Sequence, residues 1–301
     1  MKTIVTIDSI SVLHERLGYP KPKHPLITLV DLTKISPGQT KQCADQTVSL
    51  GFYAIVCKRF EGLLTYGKNY YDFDEGTLLF TAPHQVMSVN ADLHIQAGWA
   101  LYFHPDLLYG TELGRKIYQY SFFQYVTREA LHISEAEDAI LKECVEQVKR
   151  EYSQSIDKHT QGVIVSQIDL LLHYCSRFYD RQFLTRSKQH SDLLQQFEIL
   201  LRACFDDQNR AESGLPSVGY FAQLLNVSPA YLTDTLHKLT GKTTQELIHL
   251  EVIERAKSML WGSEKSVSEI AYDLGFEYPS HFSKLFKSRT GKAPSEFRHL
   301  N

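Results

Sequence analysis

From Gly51 to His104 the apolar positions come in short runs rich in aromatic and β-branched residues, separated by Gly, Asn, Asp or Pro. The runs are Tyr53–Cys57, Leu63–Tyr66, Thr77–Thr81, Val86–Val89 and Trp99–Phe103. Short strands recurring about every 8–12 residues predict a small barrel or sandwich. After Pro105 the period lengthens. Ser134 followed by Glu137 forms a capping box, and Ile140, Cys144, Val145 and Val148 recur at helical spacing. A second stripe, Ile164, Ile168, Leu171, Leu172 and Cys175, predicts another helix. Two such helices can bury their stripes on each other, on the strands or on a second copy of the chain, so a homodimer is one expectation.

The polar stretch 181–191, with Arg181, Arg186, Lys188 and His190 and few large apolar side chains, reads as an interdomain linker. Beyond it the pattern is helical, with turn signals at Asn226, Gly241, Gly262, Gly275 and Gly291. Comparison of this half with itself exposes a repeat. Ser217 to Asn226 matches Ser266 to Gly275, and after one inserted residue Pro229, Leu232, Leu236 and Thr240-Gly241-Lys242 match Pro279, Phe282, Phe286 and Thr290-Gly291-Lys292.

Each copy has the chemistry of a helix-turn-helix. In the second copy Ser266 and Glu269 cap the first helix, Ala271 lets the next helix approach closely, and Gly275 supplies a left-handed turn residue; Asn226 takes that place in the first copy. The second helices open at Ser228-Pro229 and Tyr278-Pro279 and end at Gly241 and Gly291. Leu232, Leu236, Phe282 and Phe286 face the core by their spacing. The residues between them become candidates for reading base edges: Ala230, Tyr231, Thr233, Asp234 and His237 in the first copy, and Ser280, His281, Ser283, Lys284 and Lys287 in the second. Phosphate contacts fall to Lys238, Lys242, Arg289 and Lys292. Thr243 and Glu246 open a further capping box, followed by an apolar stripe through Leu247, Ile248, Ile253, Ala256 and Met259. This predicts one connecting helix of roughly 18 residues, about 27 Å long. That length is near the ~34 Å repeat of the duplex, so the two recognition helices can enter successive major grooves.

The C-terminal half resembles the AraC/XylS family of bacterial transcription regulators. The resemblance rests on Arg255–Leu260, on Val267–Phe276, on His281–Lys287 and on Thr290–Arg298, together about a third of the chain. It implies a regulator of promoter DNA, often an activator touching RNA polymerase, with a variable N-terminal domain for effector binding and dimerisation. In many members that domain is a cupin-like barrel followed by helices, and Asp72–Pro83 and Gly98–Asp106 look similar to it. The expected fold is therefore α+β: a cupin-like β-barrel with two following helices, then an all-α domain of two helix-turn-helix units joined by a long helix. The expected boundaries are 1–180 for the sensing and dimerisation domain, with the barrel ending near 104, then 181–191 for the linker and 192–301 for the DNA-binding domain. One departure matters: acidic Asp234 stands where some members present a basic side chain, which shifts base reading toward the second copy.

A net charge of −3 excludes a chain that coats nucleic acid along its length, so any DNA-binding face must be local. Lys2 and Asp8 interrupt what a signal peptide would need, and no run approaches ~18 apolar residues, so a cytoplasmic protein with no membrane partner is expected. The five cysteines, Cys43, Cys57, Cys144, Cys175 and Cys204, are scattered without a Cys-x-x-Cys pair and read as buried thiols. Tyr66, Tyr70, Phe73, His84, Trp99 and Tyr102 are the candidates for an effector pocket, although the same aromatics could simply fill a core. His84, His94 and His104 raise the alternative of a metal-dependent cupin enzyme whose helical half only dimerises. No His-x-His pair with a following Glu is present, and no catalytic motif or cofactor is expected. A third reading, a regulator without effector whose barrel contacts another protein, calls for an exposed apolar barrel face.

Overall fold

A computed structural model describes residues 4–35, 47–60, 72–73, 75–88, 95–206 and 214–299. Contacts divide the chain into two compact units, Met1–Arg186 and Ser187–Asn301.

In the first unit the strands are β1 (Ile4–Ile7), β2 (Ile27–Asp31), β3 (Thr47–Leu50), β4 (Tyr53–Phe60), β5 (Gly76–Thr81), β6 (Val86–Ser88), β7 (Ile95–Phe103) and β8 (Leu131–Ile133). Four of the five expected runs are strands; Leu63–Tyr66 lies outside the described residues. Among the described residues they form two sheets, ordered β1-β3-β6 and β2-β7-β4-β5-β8, and not the closed barrel expected. The alternation of apolar residues serves a sandwich as well as a barrel; what separates them is whether the ladders join, and here β2 and β8 edge one sheet while β1 and β6 edge the other. β1 and β3 pair in parallel, and every other pair is antiparallel.

The period of two decides what each sheet face does. On β4 and β7, Ala54, Val56, Ala100 and Tyr102 turn toward the second sheet and meet Val48, Leu50, Met87 and helix α1 (Ile10–Leu17). The opposite face carries Ile55, Cys57, Trp99, Leu101 and, on β5, Leu78 and Phe80, all buried. Against it Phe80, Phe122 and Tyr179 form an aromatic stack with centroids 4.5 and 5.3 Å apart. After the short helix α2 (Glu112–Lys116) come the two helices expected from their stripes, α3 (Glu135–Tyr152) and α4 (Thr160–Thr185). The Ser134–Glu137 capping box forms as read. The α3 and α4 stripes are largely satisfied within the chain: Cys144, Val145, Val148, Ile164, Ile168, Leu171, Leu172 and Cys175 are buried, while Ile140 is half-buried and its neighbour Leu141 is buried instead.

Residues 181–191, expected as a linker, are helical on both sides of Arg186, which stands in a turn. Helix α4 ends at Thr185 and α5 (Ser187–Asp206) begins two residues on, so the division between units falls inside the stretch. Three of the four polar residues that suggested a linker, Arg181, Arg186 and His190, are held by partners. Arg181 forms a two-pronged ion pair with Glu137 (3.1 and 2.7 Å), and Arg186 does the same with Asp72 (3.1 and 2.7 Å). A polar stretch reads as solvated only when its partners, distant in sequence, are not in view.

The second unit continues with α6 (Val218–Leu224), α7 (Pro229–Thr240), α8 (Thr244–Gly262), α9 (Val267–Asp273), α10 (Pro279–Thr290) and α11 (Pro294–Arg298). The repeat is visible in lengths: α6 and α9 have 7 residues each, and α7 and α10 have 12 each. Two cores result. Phe197 and Leu201 of α5 join Phe221, Ala222, Leu232, Leu236 and Ile248 in one, while Val252, Ile253, Ala256 and Leu260 of α8 join Ile270, Ala271, Phe282 and Phe286 in the other. Thus α8 serves the first core with its N-terminal turns and the second with the rest.

Candidate nucleic-acid interface

The turns between paired helices are built as the residues dictate. Asn226 and Gly275, equivalent in the repeat, both adopt left-handed backbone, at φ 56° and 86°. At Gly275 a Cβ would lie 2.8 Å from the carbonyl carbon of Gly214, so both the conformation and the close backbone approach require glycine. The capping boxes at Thr243/Glu246 and Ser266/Glu269 form, and Pro229 and Pro279 occupy the first turns of α7 and α10.

These constraints fix which side chains point outward. On α10, Phe282 and Phe286 are fully buried, and Ser280, Lys284 and Lys287, spaced i, i+4 and i+7, form an exposed ridge on the opposite side. His281 is exposed beside it, its ring against that of Tyr278, and Ser283 is half-buried with its hydroxyl donating to the Pro279 carbonyl at 3.0 Å. On α7 the equivalent ridge is Ala230, Asp234 and His237; His237 is exposed, and Ala230 and Asp234 are half-buried. Thr233 is half-buried with its hydroxyl 3.3 Å from that of Thr244. Tyr231 departs from the outward position expected of it. It is 7% exposed, and its hydroxyl lies 2.9 Å from Nε2 of His190 on α5. The spacing that exposes His281 on α10 leaves Tyr231 covered because α5 packs on the first helix-turn-helix.

Basic groups divide into two sets. Lys257 pairs with Glu254 and Lys265 with Asp273, each at 2.7 Å. Arg255 donates to Glu251 and to the Arg202 carbonyl, a structural role. Lys242, Lys284, Lys287 and Lys292 are exposed and, among the described residues, form no salt bridge. Lys238 and Arg289 are also exposed. Arg289 lies near two groups at the start of α8. The Thr243 backbone N–H and hydroxyl, helped by Arg289 and His237, hold the Glu246 carboxyl below its ordinary range; burial, helped by Arg289, pushes the His249 imidazole down.

Residues 221–299 match the family described as a helix-turn-helix domain. Within this domain the chain is similar to AraC-type helix-turn-helix domains of bacterial transcription regulators. Beyond the AraC-type domain the likeness thins. An HTH-type transcriptional regulator, YijO of Escherichia coli K12, is 26% identical over 194 residues, 64% of this chain and 65% of its own length. The transcriptional activator RhaR of Escherichia coli O1:K1 is 31% identical over 81 residues, 27% of this chain and 29% of RhaR. The crystal structure of the DNA-binding domain of the global transcriptional factor AdpA, in complex with a target DNA, covers 36% of this chain and 88% of that one at 19% identity and a TM-score of 0.30.

Of the residues read as an effector pocket, the four described ones, Phe73, His84, Trp99 and Tyr102, are not brought together. Tyr66 and Tyr70 lie outside the described residues. Phe73 is 39% exposed under the Arg181 guanidinium, 4.7 Å from its ring centroid. His84 is an exposed turn residue at φ 63°. Trp99 and Tyr102 sit three residues apart on β7 and therefore face opposite sides of the sheet. Trp99 is buried, and Tyr102 packs edge-on to Phe52 in the inter-sheet core, where burial pushes its hydroxyl up to about 12. His94 and Cys43 also lie outside the described residues, and His104 caps the turn at Pro105–Leu108. Among the described residues no cluster of three His, Cys, Asp or Glu side chains could hold a metal ion, and no helix is long and apolar enough to cross a membrane. The buried thiols Cys57, Cys144 and Cys175 are all pushed up by burial.

Proposed function

We propose that this protein is a sequence-specific DNA-binding transcription regulator in which α7 and α10 enter successive major grooves of a bacterial promoter. The observation that carries the reading is the exposed Ser280–Lys284–Lys287 ridge, free of salt bridges among the described residues and set on the second helix of an AraC-type helix-turn-helix. Ser280, His281, Lys284 and Lys287 read base edges, with Ser283 at the margin, and α7 adds Ala230, Thr233, Asp234 and His237. Lys238, Lys242, Arg289 and Lys292 hold phosphates. The first unit, whose cupin-like strand pattern opens into a sandwich, is the regulated part and responds to a small-molecule effector. The protein works in the cytoplasm as an activator in contact with RNA polymerase, and a second copy pairs with it through a surface other than the α3–α4 stripes, which are buried within the chain.

The test is recovery of sheared bacterial genomic DNA by the purified full chain in the presence of excess unrelated competitor DNA. A few promoter fragments, retained by the wild type and released by Lys284→Ala with Lys287→Ala, are expected. Retention equal for all fragments, or unaffected by the two substitutions, overturns the assignment.

A further inference from the structure

Lys58 stands near the end of β4, on the face that also carries Ala54 and Val56, in register with Thr77 of β5. It is half-buried and lines a cavity of about 610 Å³ whose apolar walls include Leu79, Met87, Phe122 and Tyr125. The cavity opens along β5 beyond the point where β8 stops pairing with it, since that ladder ends at Leu78. Among the described residues no acidic group pairs with Lys58, and burial alone pushes its ammonium below the ordinary lysine range. Two other charged residues line the same space, Arg128 and Glu129, and their charges cancel. The net charge of the walls is therefore that of Lys58.

A cation held away from water without a partner is costly, and proteins remove that cost by pairing it. Here the described residues supply no pair, but they do supply a space in the size range of small-molecule sites, with apolar walls and one charged group left unbalanced. We propose that this cavity binds a small organic monocarboxylate, its carboxylate on the Lys58 ammonium and its apolar body against Leu79, Met87, Phe122 and Tyr125. A monoanion neutralises the walls, whereas a phosphate dianion overshoots their charge and would sit against Glu129 with one lysine to hold it. The ligand's role as effector rests on the proposed reading of the first unit as the regulated one. The binding itself does not.

The test is calorimetric titration of the full chain with 2-naphthoate and, separately, with the uncharged 2-naphthalenemethanol. Wild type is expected to bind a single equivalent of 2-naphthoate, roughly ten-fold or more tighter than the alcohol, as a charge-assisted hydrogen bond provides. Lys58→Met loses that margin, and Lys58→Arg, which keeps the charge, retains binding within about three-fold. The unfolding midpoints of both variants are recorded alongside to confirm folding. No saturable binding of 2-naphthoate, equal affinity for acid and alcohol, or undiminished binding by a folded Lys58→Met overturns the proposal. The same samples are checked for promoter retention: a chain that holds DNA but not 2-naphthoate defeats this site alone, and one that holds 2-naphthoate but not DNA defeats the regulator reading alone.

Discussion

The Tyr231 hydroxyl lies 2.9 Å from Nε2 of His190, with both side chains buried, so the first turn of recognition helix α7 is tied to helix α5. This burial gives Tyr231 a positioning role on the helix. Tyr231→Phe removes the hydrogen bond at constant shape and is expected to cost about 1 kcal/mol of stability. Operator preference stays unchanged, because no base contact is lost. Urea unfolding and a binding-site selection on the variant check both; a changed preferred sequence would return Tyr231 to the DNA surface.

The two ridges differ in charge at equivalent positions. Ala230, Asp234 and His237 face the same way on α7 as Ser280, Lys284 and Lys287 do on α10. Lys284→Ala is expected to weaken operator binding by about 1–3 kcal/mol if it pairs with a guanine edge. Asp234→Ala, which removes a negative charge and a proposed base contact from the α7 ridge, is expected to relax sequence preference there and to leave non-specific binding unchanged or tighter. Fluorescence anisotropy across a salt series separates the roles: loss of a phosphate-bound lysine such as Lys292 lowers the salt slope by about one and weakens all sequences alike.

Gly275 and Asn226 occupy the same turn under different constraints. Gly275→Ala places a Cβ against the Gly214 backbone and forces alanine into left-handed conformation, so a loss of about 2 kcal/mol or more is expected. Asn226→Gly keeps the conformation accessible and should shift stability by less than about 1 kcal/mol. Thermal unfolding of the two variants side by side gives the comparison.

The buried pair Arg186–Asp72 makes a similar point in the first unit, with the two side chains 5% and 0% exposed. Arg186→Met leaves the Asp72 carboxylate without this partner in the interior, and a loss of about 3–5 kcal/mol is expected. Replacing both, as Arg186→Met with Asp72→Leu, should recover much of it. A double variant no more stable than the single one would show that the pair is not what the surroundings are built around.

These residues also show what a sequence discloses. Features carried by neighbours in the chain were legible: the caps at Ser134, Thr243 and Ser266, the turns at Asn226 and Gly275, and the Phe282/Phe286 spacing all predict what forms. Features that depend on distant partners were not. Arg181 and Arg186 look like solvated linker residues until Glu137 and Asp72 are beside them. Tyr231 looks outward until α5 covers it, and Trp99 and Tyr102 share a strand but not a face. Lys58 gives no signal in the sequence at all, since a lysine without an acidic partner among the described residues is identified only by what surrounds it. The first sheet's opening elements, β1 and α1, had a local signal that went unused: Ser9 caps Ile10–Leu17, and Gly18 closes it in left-handed conformation.

In the proposed complex two recognition helices, joined by the 19-residue α8, read one face of a duplex. Hydroxyl-radical and methylation footprinting of the full chain on a recovered promoter fragment tests it most directly. Two protected major-groove segments about one helical turn, roughly 10 base pairs, apart on the same face are predicted. Lys284→Ala with Lys287→Ala, raised to a concentration that offsets its weaker binding, should erase one segment and leave the other. A single protected segment, or two that lie on opposite faces of the duplex, would contradict the account.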